Sequence, residues 1–159
     1  MRVVVAVLLA LALACGGGGK EEAAAPRLKY TNPPDDGVSF RLVQDPNLQA
    51  STGLVLTLVG PGPAIRGLVF TYSLDQGTKP WVVGMPTGPD FRVVDTGSTY
   101  GILGVPGATI ATNRPLVAFS LLSVPSSVSQ PSVTSLVVVD AAGVKKGVKV
   151  LVGNLEVVR

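Results

Sequence analysis

The chain of 159 residues contains no histidine and only one cysteine. The first absence removes the side chain that titrates near neutral pH and the commonest metal ligand. The second leaves neither a disulfide framework nor a thiolate metal site. Most hydrolase and metalloenzyme schemes are therefore disfavoured, and the expectation is a non-enzyme with no cofactor and no metal. Aromatic residues make up 5% and charged residues 14% of the chain, with 13 basic against 10 acidic side chains. That small positive balance is spread along the sequence and is no nucleic-acid footprint. The cluster Lys145, Lys146 and Lys149 reads as a solvated hairpin.

The longest apolar run, Val3 to Ala14, is too short to span a bilayer, which takes roughly 18 to 20 residues. It suits the apolar region of a secretory signal, with Arg2 as the positive flank. The run closes on Ala12-Leu13-Ala14-Cys15, and Gly16 to Gly19 then end it abruptly. This arrangement resembles the lipobox of bacterial lipoproteins. The resemblance implies cleavage after Ala14, acylation of Cys15 and attachment to the cell envelope. Gly16 in place of an Asp favours delivery to the outer membrane.

Gly16 to Pro26 (GGGGKEEAAAP) has no large apolar group and reads as a tether, which extends through residue 36 in a division of 1–14 signal, 15–36 acylated Cys and tether, and 37–159 domain. Counted from Gly16 to Pro34, such a tether spans roughly 22 to 26 Å.

From Gly37 the pattern becomes short apolar runs punctuated by Gly and Pro, of which the chain has 19 and 13. Helices of ordinary length have nowhere to form, and Val, the commonest residue, packs well on a pleated surface. Alternation predicts strands at 38–43, 54–59, 68–74, 81–83, 91–94, 99–103, 116–124, 133–139, 148–152 and 155–158. The segment 54–59 is apolar on both sides except for Thr57, as in a strand covered on both faces. The fold class expected is all-β, an antiparallel β-sandwich of about nine strands, with no crossover helices to support a parallel sheet.

The runs Leu54–Gly60 (LVLTLVG) and Ile65–Leu74 (IRGLVFTYSL) resemble the opening strands of cohesin-like domains, and Val137–Gly143 (VVVDAAG) with Val148–Val158 (VKVLVGNLEVV) is similar to their C-terminal end. The resemblance covers about residues 37 to 158 and implies a nine-stranded immunoglobulin-like sandwich, related to some carbohydrate-binding modules. It rests on alternation and glycines, so it implies a fold, and no family binding residue carries over.

Three sets of residues stand out as candidate sites. Val93-Val94-Asp95-Thr96-Gly97-Ser98 is similar to the active-site loop of aspartic proteases, where two Asp carboxylates share a proton, and a single-lobe enzyme would have to dimerise around Asp95, Thr96 and Gly97. The competing reading is an ordinary turn after a strand. Trp81 and Tyr100, both near turns, are the aromatics to choose for an exposed binding platform. Asp35, Asp36, Asp75, Asp90 and Asp140 each adjoin Gly or Pro signals and are expected to bond turn backbone. The function expected is a lipid-anchored envelope protein whose sandwich is a non-catalytic binding or structural module for a protein or polysaccharide partner. The alternative is the membrane-tethered protease.

Overall fold

A computed structural model of the chain describes residues 25–45, 47, 54–73, 81–82, 89–121 and 128–159, with only the backbone described at Trp81 and Val82. Signal and lipidation readings, including Cys15, lie outside these residues. Alternation of large apolar and polar side chains yields twelve strands: β1 (Arg27–Thr31), β2 (Phe40–Gln44), β3 (Leu54–Val59), β4 (Ile65–Ser73), β5 (Trp81–Val82), β6 (Phe91–Asp95), β7 (Thr99–Gly104), β8 (Val117–Leu121), β9 (Ser132–Asp140), β10 (Lys145–Gly147), β11 (Val150–Val152) and β12 (Asn154–Val158). The fold is all-β, as the sequence pattern requires.

Two five-stranded sheets, ordered β10-β9-β4-β7-β6 and β11-β2-β3-β8-β5, contribute to one core, and β1 pairs with β12 in a two-stranded ribbon beside them. Leu68, Phe70 and Ile102 come from the first sheet, Leu42, Leu56 and Phe119 from the second, and Leu28, Tyr30 and Leu155 from the ribbon. Phe70 and Phe119 meet between the sheets with ring centroids 5.9 Å apart, edge to face, a favoured arrangement for aromatic quadrupoles.

Besides the short strand β10, absent from the strands expected, two elements depart from the sequence reading. β1 falls inside the stretch 15–36 given to the tether, because Leu28 and Tyr30 alternate inward against exposed Arg27, Lys29 and Thr31 and bury in the common core. The Lys29 ammonium also faces Glu156 across the ribbon at 3.0 Å, an exposed pair worth under about 1 kcal/mol. The second departure is that β11 runs parallel to β2. No helix is needed for this pairing, since the chain passes from β9 and β10 in one sheet into the other, and that crossing supplies the connection a parallel pair requires.

β9 carries a bulge where two residue steps on β4 face three on β9, between Val69/Val137 and Thr71/Thr134. Ser135 absorbs the extra residue with a φ of +52°. Val133 and Leu136 consequently both point into the core, and the Leu136 carbonyl accepts from Val148 N at 2.9 Å.

Asp35, Asp36 and Asp140 bond turn backbone as the sequence suggests, and Asp75 lies outside the described residues. Asp36 accepts from the Ser39 hydroxyl at 2.6 Å and from Ser39 N at 2.7 Å, and these bonds hold its carboxyl down at about 2. Asp140 accepts from Val144 N at 2.9 Å and closes the β9–β10 hairpin, on which Lys145 and Lys146 are exposed.

Thr57 is the polar residue in a strand otherwise buried on both faces, and its Oγ1 has no hydrogen-bond partner among the described residues. A buried hydroxyl without a partner is destabilising by roughly 1 to 3 kcal/mol. Thr57→Val keeps the shape and removes the hydroxyl, so a gain of about 1 kcal/mol in urea unfolding is expected; a loss would show that the hydroxyl is in fact bonded.

Candidate functional site

Asp95 ends β6, and the chain reverses over Thr96 to Thr99. Thr96 N donates to Thr99 O at 3.0 Å, which leaves Gly97 and Ser98 as a two-residue loop. Gly97 has a φ of +87°, the left-handed value that a type II′ hairpin needs at its first loop position. The Asp95 Oδ1 accepts from Gly97 N at 2.8 Å, and Thr99 N donates to the Thr96 Oγ1 at 3.2 Å. The Asp-Thr-Gly-Ser motif is thus accounted for locally by the requirements of a tight turn, with Asp95, Thr96 and Gly97 all exposed.

Asp95 also has a tertiary role. It lies opposite Tyr100, which lies opposite Phe70, so the three share the inward face of their sheet. Burial first, then the nearby charge of Asp95 and hydrogen bonding to it, push the Tyr72 phenol up. Burial, followed by the same charge, pushes Tyr100 up to about 12. Tyr100 is 3% exposed and belongs to the core, which corrects its choice as a surface binding residue. The hairpin loop before it is only two residues long, so Tyr100 already stands on the inward register of interior strand β7 rather than on a loop. The Trp81 side chain lies outside the described residues; its backbone pairs with Ala118 of β8.

All three tyrosines of the chain have raised values, Tyr30 chiefly through burial. A phenol whose folded value is raised contributes stability fully present below its unfolded value near 10 and lost as pH climbs through the folded value. Phenolate absorbance should therefore appear late, above about pH 10 and approaching 12 for Tyr100. In Asp95→Asn the onset should move to lower pH while staying above that of free tyrosine, because burial is the larger cause. An unchanged titration would show that the Asp95 charge does not reach the pair.

The outward face of the same sheet is unlike an ordinary solvated surface. Cross-strand partners share a face, so Val94, Gly101, Val69 and Val137 form one row, and Arg92, Leu103, Gly67 and Val139 the next, ending at Lys145. Thr99, Thr71 and Thr134 form a third row. Val94 is 57%, Leu103 45% and Val69 43% exposed, on three adjacent strands. The glycines keep this face level: a Cβ on Gly101 would stand 2.8 Å from the Val69 Cγ2, and one on Gly67 would stand 3.0 Å from the Leu103 Cδ1. The result is a flat apolar area with Thr along one side and Arg92 and Lys145 at two corners. Contiguous exposed apolar surface of this kind marks contact sites more often than chance.

The sequence reading did not single out Val69, Val94 or Leu103. The available signal was the pair Val93-Val94, which breaks alternation in β6 and must expose one Val on each side. Among the described residues no group of three or more His, Cys, Asp or Glu is placed to hold a metal ion, and no helix is long and apolar enough to cross a membrane. Comparison with family models, with curated proteins and with solved structures finds no match for this chain.

Proposed function

We propose that the chain is a lipid-anchored cell-envelope protein, attached through Cys15, whose cohesin-like sandwich is a non-catalytic recognition module for a protein partner. The observation that carries this reading is the flat outer face on which Val69, Val94 and Leu103 are exposed on neighbouring strands β4, β6 and β7. Water-exposed apolar groups gain roughly 25 cal/mol per Å² when a partner covers them. The residues of the three rows include no aromatic ring to stack on a sugar, so a protein fits this face better than a polysaccharide. Arg92 and Lys145 at its corners suit a partner with an acidic rim, where such charges act mainly on association rate and orientation. The lipid localises the contact; multiple acyl chains are needed because a single one anchors only marginally.

The test is capture from the native envelope with the full lipidated chain, comparing wild type, Val94→Asp with Leu103→Asp, and Val144→Asp, with captured proteins identified by mass spectrometry. Val144 is 52% exposed outside the three rows and serves as the control. Recognition through the outer face predicts a protein held by wild type and by Val144→Asp and lost with the double substitution. Capture that survives the double substitution overturns this reading.

A further inference from the structure

We infer that two copies of this chain associate by antiparallel pairing of their β6 strands, making one continuous ten-stranded sheet. The inference rests on the sheet edge and is independent of the outer face assigned above to a partner. β6 ends its sheet, and no strand among the described residues pairs with its other side. The ladder fixes which backbone groups turn away from β7. Val105 N donates to Asp90 O at 2.8 Å, and Thr96 N donates to Thr99 O at 3.0 Å, at the two ends of the β6–β7 pair. Hydrogen-bonded pairs alternate along an antiparallel ladder, so Arg92 and Val94 bond to β7 while Phe91, Val93 and Asp95 turn their N–H and C=O groups outward.

The other edges of the two large sheets are shorter or guarded. β10 has three residues and carries Lys145 and Lys146, so pairing two copies would gather four positive charges. β11 has three residues and β5 two. In the ribbon, Gln130 closes β12 with two side-chain amide bonds to Leu155, each 2.8 Å, and β1 presents Arg27 and Lys29. β6 has five residues, Phe91-Arg92-Val93-Val94-Asp95, whose charges cancel. It lacks the lysine, proline or bulge that usually protects an edge, and Val93 is 51% exposed there.

A two-fold axis at Val93 gives a self-consistent register. Val93 faces Val93 of the second copy, and Phe91 faces Asp95 at both ends, so the outward-turned groups of each strand meet their counterparts in hydrogen-bonded pairs. Inward-facing residues stay opposite inward-facing ones, as a continuous sheet demands. The two outer faces become coplanar, which doubles the apolar area around Val94 and Leu103. The two Asp95 carboxylates stand about 14 Å apart, four residues of strand from registry, too far to share a proton.

This register places the two Val93 Cα atoms about 5.5 Å apart, inside the roughly 4.4 to 6.8 Å range of disulfides. The experiment is mild oxidation of the full chain in its native envelope, read on non-reducing gels, with wild type as the baseline for Cys15. Val93→Cys is expected to run largely as a covalent dimer, with Asp95→Cys and Val144→Cys remaining monomers. A monomeric Val93→Cys chain, or Val144→Cys cross-linking to the same extent, overturns the inference. Native mass of the detergent-extracted chain provides a second reading: two copies for wild type and one for Val93→Pro, which lacks the outward N–H, whereas a single copy for wild type overturns the pairing. A cross-link without partner capture upholds this inference and overturns the recognition reading; capture without a cross-link does the reverse.

Discussion

Replacing Phe70 by Ala is expected to lower the folding stability by about 3 to 5 kcal/mol. Phe70 is fully buried on β4, at the centre of its sheet. Its ring lies 5.8 Å from Tyr100 and 6.1 Å from Tyr72 within the sheet, and 5.9 Å from Phe119 in the facing one. Truncation forfeits the transfer free energy of the ring and leaves a cavity that both sheets would have to close. Their positions are fixed by separate hydrogen-bond ladders, so relaxation is limited. Domains of this size hold about 5 to 15 kcal/mol in total, and the variant should sit close to its unfolding threshold. Phe70→Leu, which refills most of the volume, should cost less than half as much. Urea unfolding with an unchanged slope is the measurement; a Phe70→Ala loss below about 1 kcal/mol would mean that this cluster is not the core.

Tyr30→Phe is the second large effect expected, at about 2 to 3 kcal/mol. The Tyr30 hydroxyl donates to the Leu42 carbonyl of β2 at 2.9 Å and accepts from Gly153 N at 2.6 Å. One oxygen thereby joins β1, β2 and the link between β11 and β12. Removing it leaves the Gly153 N–H without this partner in a partly buried position, which costs more than an average hydrogen bond contributes. The approach is close because Gly153 has no side chain: a Cβ there would run into the Thr31 carbonyl. Loss of the anchor should appear first as faster amide exchange in Arg27–Thr31 and Asn154–Val158, ahead of the two large sheets. Uniform exchange across the molecule, or no destabilisation, would show that the ribbon is held by its ladder alone.

Both effects depend on side chains whose identity was visible in the sequence but whose importance was not. Phe70 reads there as one of four apolar residues on an alternating strand, equivalent to Leu68 and Tyr72. Tyr30 reads as part of a spacer, since one buried-side pair, Leu28 and Tyr30, among charges and prolines makes too short a pattern to signal a strand. Lys145–Gly147 was missed as a strand for a similar reason: all three residues are exposed, and β10 exists only through its pairing with β9. Asp95 is instructive in the opposite direction. Its motif resembles a catalytic loop, and the same residues close a tight turn in which Asp95 accepts from Gly97 N. Thr112, which no sequence pattern marks, is buried and donates through its hydroxyl to the Gly62 carbonyl at 2.8 Å, clasping the Gly-Pro-Gly-Pro turn.

Local pattern in the chain suffices for the secondary structure class and the placement of most strands. Alternation with a period of two, a high content of valine, and Gly or Pro every few residues act within a few residues of chain, and no long-range contact is needed to read them. It also determined the turn chemistry, since Asp36, Asp95 and Asp140 each bond backbone groups two to four residues away. Long-range packing selects which strands become neighbours: β1 with β12, more than 120 residues apart in sequence, and β11 alongside β2 in a parallel pair. That choice settles which of two equivalent faces each strand buries, and so puts Tyr100 inside and Val94 outside. It also leaves β6 as a long edge that no second strand covers among the described residues. Strand pairing depends on the free energy of closing loops across the whole chain and filling one shared core, and no local pattern encodes that sum.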